Sequence, residues 1–185
     1  MSKKSITMFR KIYLLSLIAI FLYSCNDKHK QVSDILNKMY NQKIVFNQSL
    51  QSKIMGKDTT CNIHEDTPKI VVYFDSNGCT PCRIKLNEWK EFMQKINIVN
   101  RDIQFIFIFA TKKIVELNKE IILNDFSYPI YFDYTNSFEK INKLPREHKY
   151  HTFMLNNENK IILVGNPVLN NKIEKLYLRE INKRY

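Results

Sequence analysis

The order of apolar runs and helical periodicities predicts an α/β fold, with helices on both faces of a mixed sheet. From about residue 69 onwards, short β-branched and aromatic runs alternate with amphipathic stretches in the order β-α-β-α-β-α-β-β-α. Such an alternation is typical of a sheet that contains parallel strands and is covered by helices. The run at residues 103–109 is apolar on both of its faces, which indicates a central strand buried on two sides.

The first strand and helix of this order enclose two cysteines. Residues 70–74 predict a strand, residues 75–78 a polar turn, and residues 80–96 a helix. The helix is indicated by one apolar face, made of Cys82, Leu86, Trp89, Met93 and Ile96. Pro81 suits the first turn, where its missing N–H costs nothing. Cys79 is therefore expected just outside a helix N-terminus, where the helix dipole and free N–H groups favour the nucleophilic thiolate.

The remaining elements follow from periodicity and turn residues. They are a helix at 112–123, a strand at 129–132, a helical turn at 137–142, a hairpin of strands at 152–155 and 161–164, and a helix at 171–183. Ahead of the first cysteine-bearing unit, the sequence predicts a short helix at 31–40 and a weak strand at 43–46. Residues 48–67 are polar and without sustained period, so we interpret them as loop with broken structure.

The N-terminus is typical of an export signal. Four basic residues precede an apolar core of 12 residues at 12–23, which is too short for a spanning helix. Leu22-Tyr23-Ser24-Cys25 resembles the bacterial lipobox, which implies cleavage before Cys25 and lipidation of its sulfur, for example by palmitate. The alternative is an uncleaved signal anchor. The expected location is a bacterial cell envelope, with the protein anchored to a membrane through Cys25 and facing an oxidising space.

Removal of residues 1–24 leaves 161 of 185 residues, enough for one domain with a proper core. The removed segment holds four Lys or Arg and no acid, so the net charge falls from +11 to +7. The remaining basic residues are scattered among acids and form no arginine-rich strip, which excludes nucleic acid as an expected partner. The predicted organisation is a signal peptide at 1–24, a lipidated cysteine, tether and extension at 25–59, and a domain at 60–185. Cys61 is the odd cysteine, expected to be buried and inert.

Two motifs carry a family resemblance. The first is strand, turn, Cys79-x-Pro81-Cys82 and helix; the second is His151-Thr152-Phe153-Met154-Leu155 followed by a strand that ends in Gly165. Residues 60–185 resemble the thioredoxin-fold TlpA/ResA-like thiol-disulfide oxidoreductases and their AhpC/TSA-type relatives. The resemblance implies a thioredoxin-like three-layer α/β/α domain with a central mixed β-sheet, acting as a monomer on disulfide-bearing or thiol proteins of the envelope.

The second motif departs from the family at its key position. Where the family has a cis-proline facing the two sulfurs, this chain has His151. A non-proline cis peptide costs about 3 kcal/mol, so residues 149–151 are expected to take another backbone course. His151, with Pro81 and Thr152 as further auxiliary residues, either assists the two thiols or binds a soft metal with them; the other interpretation is a partly exposed loop histidine.

Three functions remain open on the sequence. The leading one is disulfide exchange through Cys79 and Cys82, of reductase type because the Thr80-Pro81 dipeptide resembles that of reductase-type relatives. The second is a metal-binding module, with zinc held by both cysteines, Cys61 and His64, or copper held by Cys79, Cys82 and His151. The third is a non-catalytic binding lipoprotein with an idle cysteine pair. No metal is expected under the leading hypothesis, and the sequence holds no cofactor motif.

Overall fold

The structure, a computed structural model, describes residue 13 and residues 29–75, 84–99 and 102–184. The strands are β1 (Gln51–Ile54), β2 (Lys57–Thr59), β3 (Lys69–Phe74), β4 (Gln104–Phe109), β5 (Ile130–Phe132), β6 (Thr152–Leu155) and β7 (Ile161–Val164). The helices are α1 (residues 29–39), α2 (Leu86–Val99), α3 (Ile114–Leu123), α4 (Ser137–Ile141) and α5 (Asn171–Arg184), with a 3-10 turn at His148–Tyr150.

The strands form one mixed sheet in the order β2-β1-β5-β4-β3-β6-β7. β3, β4 and β5 are parallel, whereas β1, β2, β6 and β7 each run antiparallel to their neighbours. β4 pairs with β3 from Lys69–Gln104 to Phe74–Phe109 and has β5 on its other side. The prediction of a central strand at residues 103–109 is therefore confirmed.

The loop prediction for residues 48–67 is wrong over residues 51–59, where β1 and β2 form a hairpin, and is confirmed on either side of it. β1 extends the sheet by pairing with β5, from Gln51 opposite Phe132 to Lys53 opposite Ile130. The sheet thus begins before residue 60, the predicted start of the domain. The weak strand predicted at 43–46 is reduced to a single bridge between Lys43 and Lys160.

One face of the sheet carries the main core, formed with α2, α3 and α5. Side chains alternate along each strand, so every second residue of β3 and β4 points to this face. Trp89 of α2 is fully buried, and its ring meets that of Phe107 edge-on at 5.4 Å. Leu86, Met93 and Ile96 are buried with it, as the helical spacing predicted. From α5, Tyr177 and Ile181 join the same cluster.

The opposite face is covered by residues 39–50 and by α4. Residues 41–44 exchange backbone hydrogen bonds with the β6–β7 hairpin, including Asn41 N–H to the Ile161 carbonyl at 2.8 Å. Farther along, the Phe46 ring lies 5.7 Å from Phe138 of α4, which in turn lies 5.5 Å from Tyr73 of β3. The sheet is thus a middle layer between two covering layers.

The chain divides into two compact units, Met1–Lys38 and Met39–Tyr185. The second unit contains the whole sheet and helices α2 to α5. The described part of the first unit is helical from residue 29 onwards. Within the part of the chain that the structure describes, no helix combines the length and the apolar character needed to cross a membrane.

Candidate functional site

The predicted cysteine pair stands between two described elements. Cys79, Pro81 and Cys82 lie outside the described residues, as does Cys25. On one side of them is Asp75, the residue that follows β3; on the other is Ile84, which precedes α2. β3 is buried over its first five residues and is paired on both sides, by β4 and by β6. The C-x-x-C therefore follows the carboxyl end of an interior strand in the chain.

His151 lies beside that end of β3. It immediately precedes β6, and its carbonyl accepts the backbone N–H of Tyr73 at 2.9 Å. Its side chain is only 2% exposed, so it is not the partly exposed loop histidine of one sequence interpretation. The ring packs 5.3 Å from that of Tyr73, and its Nε2 lies 2.6 Å from the Pro145 carbonyl oxygen. Burial lowers the pKa of His151, against the opposing effects of the Pro145 carbonyl and the nearby carboxylates.

The backbone before His151 takes a different course from a cis-proline loop, as predicted. His148–Tyr150 forms a 3-10 turn that is closed by the hydrogen bond from His151 N–H to the His148 carbonyl at 3.0 Å. None of the peptide bonds in the described ranges is cis. Residues three apart eclipse each other in a 3-10 turn, so His148 and His151 lie on one side of it. Their rings meet edge-on at 5.6 Å.

Asp75 completes a cluster with these two histidines. Its side chain is only 4% exposed, although the sequence places Asp75 at the start of a polar turn. The Asp75 Oδ2 lies 2.9 Å from Nδ1 of His148, whose side chain is 47% exposed. The potential ligand atoms of Asp75, His148 and His151 all lie within 4.8 Å of one another. Sequence reasoning missed His148; the His-x-x-His spacing of 148 and 151 was the available signal.

Two other residues near this end of β3, Tyr73 and Thr152, are buried, and neither is placed to act as a proton acceptor for a thiol. The hydroxyl of Tyr73 donates to Glu139 Oε2 at 3.5 Å. Burial and the Glu139 charge raise the pKa of Tyr73, so it is a neutral phenol at physiological pH. Thr152, one of the predicted auxiliary residues, is 4% exposed, and its carbonyl accepts the Gly165 N–H at 2.8 Å.

Cys61 lies in a different part of the domain. It is a half-buried free thiol rather than a buried one, and it lines a cavity of about 600 Å³. His64, its neighbour in the zinc hypothesis, donates its backbone N–H to Gln104 at the start of β4. Asp75 follows the opposite, carboxyl end of the parallel strands. The full length of β3 thus separates Cys61 and His64 from Asp75, the last described residue before the C-x-x-C. This separation is evidence against one zinc site made of Cys61, His64 and the C-x-x-C.

Comparison with known proteins finds similarity in structure only. The sequence matches no protein-family model, and no curated protein matches it. AhpC from Enterococcus faecalis superposes with a TM-score of 0.56 at 13% identity, over 80% of this chain and 95% of that protein. An uncharacterized thioredoxin-like protein from Porphyromonas gingivalis gives 0.52 at 18% identity, over 78% of this chain and 94% of its own length.

A proposed thiol-disulfide oxidoreductase from Bacteroides vulgatus gives a TM-score of 0.52 at 17% identity, over 74% of this chain and 90% of that protein. At identities this low, the structural superpositions establish a common fold and nothing further. The mixed sheet, its parallel centre and its two covering layers agree with that result. This chain therefore has the thioredoxin-like α/β/α fold that its two motifs resemble.

Proposed function

We propose that this protein is a thiol-disulfide oxidoreductase that acts through Cys79 and Cys82. The observation that carries the proposal is the place of the C-x-x-C in the chain, between a buried interior strand, β3, and the amphipathic helix α2 of a thioredoxin-like sheet. The sequence predicts Cys79 at a helix N-terminus, where the positive end of the helix dipole favours the thiolate that attacks disulfides. The described helix α2 begins only at Leu86, because Lys85 leaves the helical conformation with a φ of +53°, so the prediction of one continuous helix over 80–96 is wrong at that residue.

The reaction proceeds in two exchanges. The Cys79 thiolate attacks one sulfur of a partner disulfide, forms a mixed disulfide and releases the other partner sulfur as a thiolate, which takes up a proton. The Cys82 thiolate then attacks the Cys79 sulfur and releases the second partner thiol. Two electrons pass to the partner, and Cys79 and Cys82 become a disulfide that a dithiol donor must reduce again.

The same proposal places this exchange at a membrane of the bacterial envelope. Its support is the basic head, the 12-residue apolar core and the lipobox-like Leu22-Tyr23-Ser24-Cys25. A lipid-modified Cys25 would hold a monomeric domain close to thiol or disulfide proteins on the same membrane. We propose reduction as the direction of exchange, because the Thr80-Pro81 dipeptide resembles that of reductase-type relatives.

The test is a redox titration of the full-length chain, extracted from membranes in mild detergent. Cys79 and Cys82 are equilibrated in thiol-disulfide buffers, alkylated and read by mass spectrometry. A reversible two-electron couple between about −270 and −120 mV would support exchange, with the low end of that range expected for a reductase. A pair that stays oxidised below about −300 mV would be a structural disulfide and would refute the proposal.

Serine variants separate exchange from passive binding. Cys82→Ser removes the resolving thiol, so mixed disulfides through Cys79 should accumulate, whereas Cys79→Ser should form none. Cys61→Ser is the matched control and should leave the couple unchanged. A biological role that survives loss of both Cys79 and Cys82 would favour the non-catalytic alternative.

The anchor has its own test. Cys25→Ala should abolish labelling by a radioactive fatty acid and stop cleavage of the signal peptide. Labelling that persists in this variant would contradict lipidation at Cys25.

A further inference from the structure

The cluster at the end of β3 has the composition of a metal site. Asp75, His148 and His151 offer one carboxylate oxygen and two imidazole nitrogens within 4.8 Å of one another. Two of the three side chains are almost fully buried, Asp75 at 4% and His151 at 2% exposure. This donor set contains no sulfur, so it differs from every metal site considered from the sequence.

The hydrogen bonding of His151 prepares it as a ligand. The Pro145 carbonyl can only accept, so Nε2 of His151 must carry the proton that it donates there at 2.6 Å. Its Nδ1 then has a free lone pair, and this atom is buried with no hydrogen-bond partner among the described residues. A backbone carbonyl that fixes one imidazole nitrogen while the other binds metal is the usual second-shell arrangement of metal-bound histidine.

His148 is placed to complete the site from the solvent side. The 3-10 turn puts it on the same side as His151, and its Nδ1 already contacts the Asp75 carboxylate at 2.9 Å. A carboxylate accepts only, so this contact holds a proton between nitrogen and oxygen. A bound cation would replace that proton, because metal binding requires deprotonated ligands. The 47% exposure of the His148 side chain leaves the site accessible to an ion.

We propose that Asp75, His148 and His151 bind a divalent first-row transition ion, with zinc as the ion used to test it. Bonds of about 2.0–2.1 Å in tetrahedral geometry place donor atoms about 3.3 Å apart, so donor atoms that now lie within 4.8 Å of one another would close by at most about 1.5 Å around the ion. Three protein ligands leave one position for water or another small ligand.

The site would link two parts of the chain that are distant in sequence. A bound ion would join the turn before β6 to the residue that follows β3, four positions before Cys79. The carboxylate of Glu139 lies near the same buried region, since it contacts Tyr73 beside His151, and it adds negative potential that favours a cation.

The test uses the full-length chain with Cys61, Cys79 and Cys82 all replaced by serine, so that these three thiols cannot bind the ion. Zn²⁺ is titrated against a chromophoric chelator, and Co²⁺ is used to record the ligand-field spectrum. We expect one Zn²⁺ per chain and a Co²⁺ spectrum without thiolate charge-transfer bands. His148→Gln and Asp75→Asn should each weaken Zn²⁺ binding by at least about tenfold.

His64→Gln is the matched control, because His64 is an exposed histidine far from the cluster and should leave the affinity unchanged. Near-ultraviolet circular dichroism of His148→Gln checks that the fold is intact, as expected for a half-exposed side chain. Failure of the serine background to bind Zn²⁺ would overturn the proposal. Undiminished binding by His148→Gln, or equal weakening by His64→Gln, would do so as well. None of these outcomes bears on the redox couple of Cys79 and Cys82.

Discussion

Asn142, the residue that follows α4, is a buried side chain that ties residues 39–50 to α4. It is 2% exposed and makes three hydrogen bonds through its amide. Its Oδ1 accepts the Val45 N–H at 2.8 Å, and its Nδ2 donates to the Val45 carbonyl at 3.0 Å and to the Phe138 carbonyl at 2.9 Å. Asn142→Ala removes all three bonds at once and leaves the Val45 groups without their partner.

The expected cost follows from the number of bonds. Each intramolecular hydrogen bond contributes about 1 kcal/mol net, and loss of one partner adds part of the desolvation penalty of the other. Three bonds therefore predict a loss of about 3 kcal/mol in the free energy of unfolding. With a urea m-value of about 2 kcal/mol/M, the midpoint should fall by about 1.5 M.

Trp89 supplies the assay, because it is the single tryptophan of the chain and is fully buried in the main core. Its fluorescence during urea unfolding gives the midpoint for the wild type and for Asn142→Ala. Asn182→Ala, an exposed position on α5, is the control and should change stability by less than about 0.5 kcal/mol. A loss below about 1 kcal/mol for Asn142→Ala would refute the reasoning.

Three further predictions use the same unfolding assay. Asp133→Ala should cost about 2–3 kcal/mol, because its buried carboxylate accepts the Phe138 N–H at 2.8 Å; Asp133→Asn, which keeps one acceptor, should cost less. Gly165→Ala should cost about 1–3 kcal/mol, since Gly165 has a φ of +127° and a Cβ there would lie 3.2 Å from Ile173; no loss would contradict this. Burial raises the pKa of Tyr131 to about 12, whereas an unfolded tyrosine ionises near pH 10. The unfolded state therefore loses this proton first, and wild-type stability should fall relative to Tyr131→Phe by about 2–3 kcal/mol between pH 10 and 12, a difference that a parallel pair of curves would disprove.

The elements predicted best from the sequence are those with strong local patterns. The apolar spacing of Leu86, Trp89, Met93 and Ile96 can only be buried by a helix against the sheet, and all four are buried. The hairpin strands at 152–155 and 161–164 have the predicted bounds, because a polar turn separates two apolar runs.

Features that depend on distant partners could not be predicted in this way. β1 and β2 are short and polar, and β1 exists as a strand because it pairs with β5, about 80 residues later in the chain. Asp75 resembles a solvated charge in sequence, yet it is buried and contacts a turn that is formed by residues 148–150. Periodicity within a short window contains no information about either contact.

The path of residues 39–50 has a consequence for the order of folding. Val45 bonds to Asn142 across 97 positions, whereas β3, α2 and β4 are consecutive and close to one another in sequence. Closing a long loop costs more chain entropy than joining neighbours, so contacts of high sequence separation form late. Because a chain is synthesised from its N-terminus, the partners of residues 39–50 in the β6–β7 hairpin do not exist until most of the domain has been synthesised. The unit β3-α2-β4 would then be complete in the chain before the second covering layer can close.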